Sequence, residues 1–321
     1  MSSSPIAATP YEVLGVSPTA GTEELRRNYR RMLRETHPDT GGVAVHFHAV
    51  QAAWDLVGTP ETRAAYDRGL NFSGQAGRAN SANPGAPTAN ASWAPTAQTN
   101  VRGTRPAPRE YGVAGGAQRD EYLAALTEWN PGFTGDPYGP VLVRSAPAQI
   151  RRLLAKAVAE EITAHYLSSL GIGFTIWHSV ATPTAAPGEP DEKLDHVVLG
   201  ASGLFALSSE DWGAPVRTRK GELIGSGLAP DERPVNALSI RAKYIARISR
   251  VPFTAILIVV PDGASDESVL SLGAMRGVPV LVVQRSRVPD MMRRGLGTAP
   301  FRGGAEVFDV RTRLMAGIRF L

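Results

Sequence analysis

The chain has no cysteine among its 321 residues. Disulfides, thiolate zinc sites and cysteine nucleophiles are thereby excluded, and any metal chemistry must draw on carboxylates or histidine. Long hydrophobic runs are missing as well. The longest, Phe253 to Val260, has the length of a buried strand and falls far short of the ~20 apolar residues of a membrane span. Met1-Ser2-Ser3-Ser4-Pro5 lacks the charged and apolar regions of a secretory signal. The expectation is a soluble cytoplasmic protein with no membrane partner. Lysine is scarce, with only Lys156, Lys193, Lys220 and Lys243 among 34 lysines plus arginines. With the abundant Ala, Arg and Gly, this usage points to a GC-rich bacterial genome.

Strong net charge is absent too. The formal balance is +4, divided as −1 over residues 1–70, +3 over 71–118 and +2 over 119–321. No broad basic face for nucleic acid follows from that sum, although a local patch is compatible with it. The length suits two domains at ~100–200 residues each, and 43% hydrophobic content is enough for real cores. The pattern predicts a tail over 1–8, an all-α module over 9–69, a disordered linker over 70–118 and an α/β domain with a mixed sheet over 119–321.

The all-α module is organised around His37-Pro38-Asp39. Pro38 fixes its own φ and pushes His37 out of the helical region, so the preceding helix must stop there. Asp39 at the reversal can accept a forked arginine from a partner, and Gly41-Gly42 let the chain turn into the next helix. Before the turn, Thr22 reads as an N-cap and Glu23 and Glu24 suit the positive helix end. Leu25, Tyr29, Met32 and Leu33 form the buried stripe, and Arg26, Arg27, Arg30, Arg31 and Arg34 the opposite face. A solvated face would also accommodate five arginines. Because this one runs into an exposed turn, it reads as a landing strip for an acidic partner.

After the turn, Val43, Phe47, Val50, Trp54 and Val57 recur at helical spacing, so Phe47 and Trp54 read as core. His46 and His48 lie off that stripe, and two histidines at i,i+2 do not face the same way on a helix, which argues against a metal pair. Tyr11 and Leu14 belong to a short turn stopped by Gly15, and Pro60 opens a last helix with Thr59 as N-cap.

Tyr11-Glu12-Val13-Leu14-Gly15-Val16, Leu25 through Tyr29, His37-Pro38-Asp39, Phe47 through Trp54 and Arg63-Ala64-Ala65-Tyr66-Asp67 stand in the order and spacing of a DnaJ-type J-domain, which residues 9–69 resemble. The resemblance implies a four-helix module that docks on a DnaK-type chaperone and stimulates its ATPase. It also implies that His37, Pro38 and Asp39 are essential and that the arginine face touches the partner. Thr36, Asn28 and Trp54 depart from the residues usual in that family. The Gly/Phe-rich region and Cys-rich zinc module of full DnaJ chaperones have no counterpart.

The linker is dominated by Ala, Gly, Asn, Pro, Ser and Thr, with Ser92-Trp93-Ala94 as a candidate recognition motif. Beyond it, helices are expected over 121–129, 148–170 and 235–249. Strands are expected over 173–180, 194–199, 203–207, 216–220, 253–260 and 279–283, and a closing strand and helix over 308–320.

Leu194-Asp195-His196-Val197-Val198-Leu199-Gly200, Ser202 to Leu207 and Asp211-Trp212-Gly213 resemble a nuclease-related (NERD) domain, itself similar to restriction-endonuclease folds. Glu160 and Glu161 on the preceding helix agree with it. That family's chemistry needs an Asp on one strand and Glu-x-Lys on the next, two carboxylates for a divalent metal and a lysine for the attacking water. Asp195 occupies the first position, but Ser208 and Glu210 occupy the other two, so the site, with Glu161 beside it, reads as vestigial. Lys220 is the candidate replacement lysine, and His196 reads as a sheet residue. No cofactor, metal ligand set or catalytic residue is expected. The readings are a J-domain co-chaperone with an α/β domain for targeting, client or nucleic-acid binding; a metal-dependent nuclease carrying a J-domain; or a silent nucleic-acid-binding scaffold.

Overall fold

The computed structural model describes residues 4–37, 44–72, 93–95, 106–183, 192–297 and 302–321. The chain divides into two compact units, one drawn from Met1–Ala94 and Gly132–Pro147, the other from Pro95–Pro131 and Ala148–Leu321. Among the described residues, no helix is long and apolar enough to cross a membrane.

The first unit is helical. In α1, Pro10–Val13, a reciprocal capping box joins Thr9 and Glu12: the Glu12 N–H donates to Thr9 Oγ1 at 3.2 Å and the Thr9 N–H to Glu12 Oε2 at 2.7 Å. Two orphan donors of the helix start are thus satisfied without water. The next helix, α2, is Thr22–Thr36. Its N-cap is Gly21, in extended geometry, so Thr22 is the first helical residue rather than the expected cap. It ends where Pro38 requires, with His37 at φ −65°, ψ 131°.

Two further helices complete the module, α3 (Ala44–Val57) and α4 (Pro60–Phe72). Thr59 Oγ1 accepts the Thr62 N–H at 3.2 Å and caps α4 as expected. Tyr11, Leu14, Leu25, Val50, Ala53 and Val57 are buried at the centre. Tyr29 of α2 stacks on Trp54 of α3 with centroids 4.2 Å apart and planes 9° from parallel, a contact worth ~0.5–1.5 kcal/mol beyond its buried area. Tyr11 donates to Asp67 Oδ1 at 2.8 Å and carries the Arg63 guanidinium over its ring, tying the first turn to α4. Trp93 is buried, with Arg144 over its ring, so its side chain is not displayed as a recognition motif requires; Ser92 lies outside the described residues.

The second unit is a three-layer α/β structure. It begins with strand β1, Arg109–Tyr111, and helix α5, Gly116–Trp129; the short helix α6, Pro140–Ser145, falls in the first unit. Helix α7, Ala148–Leu167, precedes β2 (Thr175–Thr182), β3 (Glu192–Gly200), β4 (Gly203–Ser209) and a separate hairpin of β5 (Arg217–Arg219) and β6 (Glu222–Ile224). Then come α8 (Pro234–Ser249), β7 (Ala255–Val260), β8 (Val269–Met275), β9 (Val278–Gln284), α9 (Val288–Arg294) and α10 (Gly304–Gly317).

The seven-stranded sheet has the order β1-β2-β3-β4-β7-β9-β8. Strands β4, β7 and β9 run parallel, β2 to β4 form an antiparallel meander, and β1 adds to β2 in parallel. The mixed sheet expected from the alternation of helices and strands is present.

Strand β7 is buried at every residue, because both sheet faces are covered. One core gathers Trp177, Leu199, Leu204 and Ile258 with α8 and α10, the other Ile176, Val198, Phe205 and Leu257 with Leu167 and Met292. The turn into β4 needs glycine: Gly203 has φ +139°, and a Cβ there would sit 2.2 Å from Thr254 Oγ1.

Two sequence expectations need correction, and one strand was missed. Strand β1 and the start of α5 fall inside the stretch read as linker, of which 73–92 and 96–105 lie outside the described residues. The strand expected over 216–220 is present as β5, in a two-stranded hairpin apart from the main sheet. Edge strand β8 was not anticipated. At the C-terminus the helix comes first, and the closing strand is a single bridge between Val180 and Phe320.

Candidate functional site

On α2, Arg26, Arg27, Arg30, Arg31 and Arg34 are all exposed. Two of them have loose, well-solvated acidic neighbours, Glu23 at 3.7 Å from Arg26 and Glu35 at 3.9 Å from Arg31. Such pairs contribute little, so the face stays electropositive. Glu23, Arg26, Arg27, Arg30 and Arg34 line one shallow groove. At the end of the helix the half-buried His37 ring meets the Phe47 ring edge-on, 5.1 Å between centroids and 82° between planes. Phe47, read as core, therefore also positions His37. Pro38 and Asp39 lie outside the described residues.

In the α/β unit the polar residues converge on Lys156 of α7. Its Nζ lies 2.7 Å from Asp195 Oδ2, 2.6 Å from Glu210 Oε1, 2.9 Å from the Ser209 carbonyl and 3.1 Å from Ser208 Oγ, and shares its three protons among them. Asp195 Oδ2 also accepts the Ser209 N–H at 2.7 Å, and Ser208 Oγ lies 2.5 Å from Glu210 Oε1. One turn along α7, Glu160 pairs with Lys193 of β3 and accepts the Gly115 N–H at 3.0 Å.

Burial pushes the Asp195 carboxyl up, but the Lys156 and then the Lys193 ammonium outweigh it and hold the group well below the usual carboxylate range. Burial also opposes the charge of Lys156, yet Asp195 and Glu210 keep it firmly protonated. Glu160 goes the other way: burial and the Asp195 charge push it up to about 7 against the pull of Lys193 and Lys156. Two buried oxygens, Asp195 Oδ1 and Glu160 Oε1, have no hydrogen-bond partner.

Beside this cluster, His178 and His196 face each other with Nδ1 atoms 2.8 Å apart, and His196 Nε2 lies 3.0 Å from Ser209 Oγ. Burial first and His178 second push the His196 imidazole well below its ordinary value, so it is a neutral hydrogen-bonding member of the sheet.

Residues 9–67 match the family model of the DnaJ domain. The chaperone protein DnaJ of Cyanothece sp. is 44% identical over 61 residues, covering 18% of this chain and 16% of that protein. Residues 9–67 are a DnaJ domain. DnaJ of Thermosynechococcus vestitus is 42% identical over 74 residues, 21% of this chain and 20% of that protein. A tetratricopeptide repeat and J domain-containing co-chaperone of Mycosarcoma maydis is 41% identical over 59 residues, 18% of this chain and 10% of that protein. The chain thus spans a fifth or less of the length of these curated relatives, and the shared part is the DnaJ domain. No solved structure matches the chain significantly.

Of the residues singled out beyond the DnaJ domain, Asp195, Ser208 and Glu210 come together and Glu161 does not. Glu161 turns to α5, where Arg119 grips it at 2.5 and 2.8 Å. Lys220 does not reach the cluster either; it is exposed in the β5–β6 turn with φ +53°. Lys156 and Glu160 stand in the cluster where Lys220 and Glu161 were expected. Lys156 and Glu160 share one face of α7 at i,i+4, a spacing legible in the sequence.

The arrangement does not fit a divalent metal as it stands. Asp195 and Glu210 are hard oxygen ligands, but the point where they converge is filled by Lys156 Nζ. Among the described residues, no group of three or more His, Asp or Glu side chains is placed to hold a metal ion.

Proposed function

We propose that this protein is a J-domain co-chaperone. The DnaJ domain docks on a DnaK-type chaperone through the arginine face of α2 and the His37-Pro38-Asp39 turn and stimulates its ATPase. The α/β unit serves targeting, client or nucleic-acid binding and is not an enzyme. The observation that carries this reading is the DnaJ-domain match over 9–67, joined to five exposed arginines that lead to His37. Electrostatic steering by such a face raises the encounter rate with an acidic partner and sets register more than it adds affinity.

The nuclease alternative is disfavoured by Lys156, whose ammonium occupies the space between the two carboxylates. A degenerate NERD-like fold, similar to restriction-endonuclease folds, remains our reading of the unit's ancestry.

The decisive measurement is single-turnover ATP hydrolysis by a DnaK-type chaperone with the intact protein and with His37→Gln. The expected result is that the wild type accelerates hydrolysis and His37→Gln does not. Equal acceleration by both, or by neither, overturns the assignment.

A further inference from the structure

The oxygens around Lys156 form a cage of definite composition. Two carboxylates, one hydroxyl and one backbone carbonyl approach a single atom to within 3.1 Å. All four belong to residues of β3, β4 and the residue after β4, whereas the cation comes from α7. This donor set is the one that hard divalent ions such as Mg²⁺, Mn²⁺ and Ca²⁺ select.

We propose that Lys156 is a tethered cation closing a divalent-metal seat built from Asp195, Glu210, Ser208 and the Ser209 carbonyl. The natural chain therefore excludes divalent ions there, and removal of this one side chain opens the seat to one such ion.

Three observations support it. Asp195 is 1% exposed and its Oδ1 has no hydrogen-bond partner, so the carboxylate keeps an unused ligand atom. Replacing the Lys156 ammonium leaves Asp195, Glu210 and the neighbouring Glu160 facing one remaining ammonium, that of Lys193, which stands 3.8 Å from Asp195 Oδ1. A surplus of negative charge in a buried place draws in a cation. Finally, the Lys156 and Glu210 side chains are 22% and 18% exposed, so the seat opens to solvent. Metal–oxygen bonds of ~2.0–2.6 Å require the cage to close by about half an ångström, a small adjustment once the lysine stem is gone.

The test uses the full chain as wild type, Asp195→Asn, Lys156→Met, Lys156→Arg and Lys156→Met with Asp195→Asn. Bound Mn²⁺ is counted by electron paramagnetic resonance, and thermal unfolding is followed with Mn²⁺ or EDTA. Lys156→Met should bind one extra equivalent with a dissociation constant on the order of 10⁻⁴ M and gain thermal stability from Mn²⁺. Wild type, Lys156→Arg and the double variant should show neither effect. The proposal fails if Lys156→Met gains no Mn²⁺, if the extra equivalent survives Asp195→Asn, or if wild type already binds an equivalent that Asp195→Asn removes. Should Lys156→Met not fold alone, recovery of native tryptophan emission with Mn²⁺ but not EDTA supports the proposal, and no recovery in either overturns it.

Discussion

The sharpest consequence of the Lys156 cluster concerns stability and its pH dependence. Lys156→Met keeps most of the side chain's volume and deletes the charge, leaving Asp195 and Glu210 facing each other without their shared cation. Removing one member of a buried ion pair costs ~3–5 kcal/mol. The Lys156 and Glu210 side chains are 22% and 18% exposed, so water offsets part of the loss and the lower end, about 3 kcal/mol, is expected.

The sign with pH follows from linkage. In the wild type the Asp195 pKa is depressed on folding, so its contribution is present above the unfolded value of ~3.9 and is lost as pH falls through the folded value. In Lys156→Met the buried Asp195 loses its main cationic partner and its folded pKa rises above the unfolded one. Its contribution then is present at low pH and is lost as pH rises through the folded value. The deficit of the variant therefore widens from pH 5 to pH 8, at up to ~1.4 kcal/mol per pH unit for each proton involved. Hydrogen exchange of the β3 and β4 amides in the full chain reads the opening free energy of this unit separately from the DnaJ domain. A deficit under about 1 kcal/mol at pH 8, or one equal at pH 5.5 and pH 8, would refute the reasoning.

Reversing Arg26, Arg30 and Arg34 to Glu should lower the apparent affinity for a DnaK-type chaperone by roughly tenfold or more at low salt, mostly through slower association, with the gap narrowing in 0.5 M salt; a salt-independent loss in stopped-flow association would contradict the steering role. Gly203→Ala places a Cβ 2.2 Å from Thr254 Oγ1, the acceptor of the Leu204 N–H, at a backbone φ of +139°. About 2 kcal/mol should be lost from the α/β unit, with exchange in α2 and α3 unchanged, and a change under 0.5 kcal/mol would mean the β3–β4 turn relaxes freely.

The DnaJ domain was legible because its signals are local. Apolar residues at helical spacing gave α2 and α3, Pro60 behind Thr59 gave α4, and the proline at 38 gave the end of α2. The sheet was legible only where strands are buried on both faces and read as unbroken apolar runs, as β7 does. Strand β1 is three residues long and exists by pairing with β2, a contact more than sixty positions away in the chain that no local window contains. Strand β8 is half-exposed at the sheet edge and carries Gly273, so neither a run nor a clean alternation marks it. The failure at Glu161 has a different origin. Adjacent helical residues point about 100° apart, and only the side chain one turn from Lys156 can meet Asp195.

The choice of lysine at 156 follows from the same geometry. A planar guanidinium spreads its donors over a fork matched to one carboxylate, whereas an ammonium concentrates three protons and the full charge on one atom. Four oxygens within 3.1 Å of a single nitrogen can be served only by the compact group. In a chain where four of 34 basic residues are lysine, two of the four, Lys156 and Lys193, lie in this one cluster, and the other two, Lys220 and Lys243, are exposed. Where arginine is the rule, a lysine facing a carboxylate from the next element marks a point charge that geometry requires. The pair Lys156 and Glu160 on α7, set against Lys193 and Asp195 two residues apart on one face of β3, carried that mark in the sequence itself.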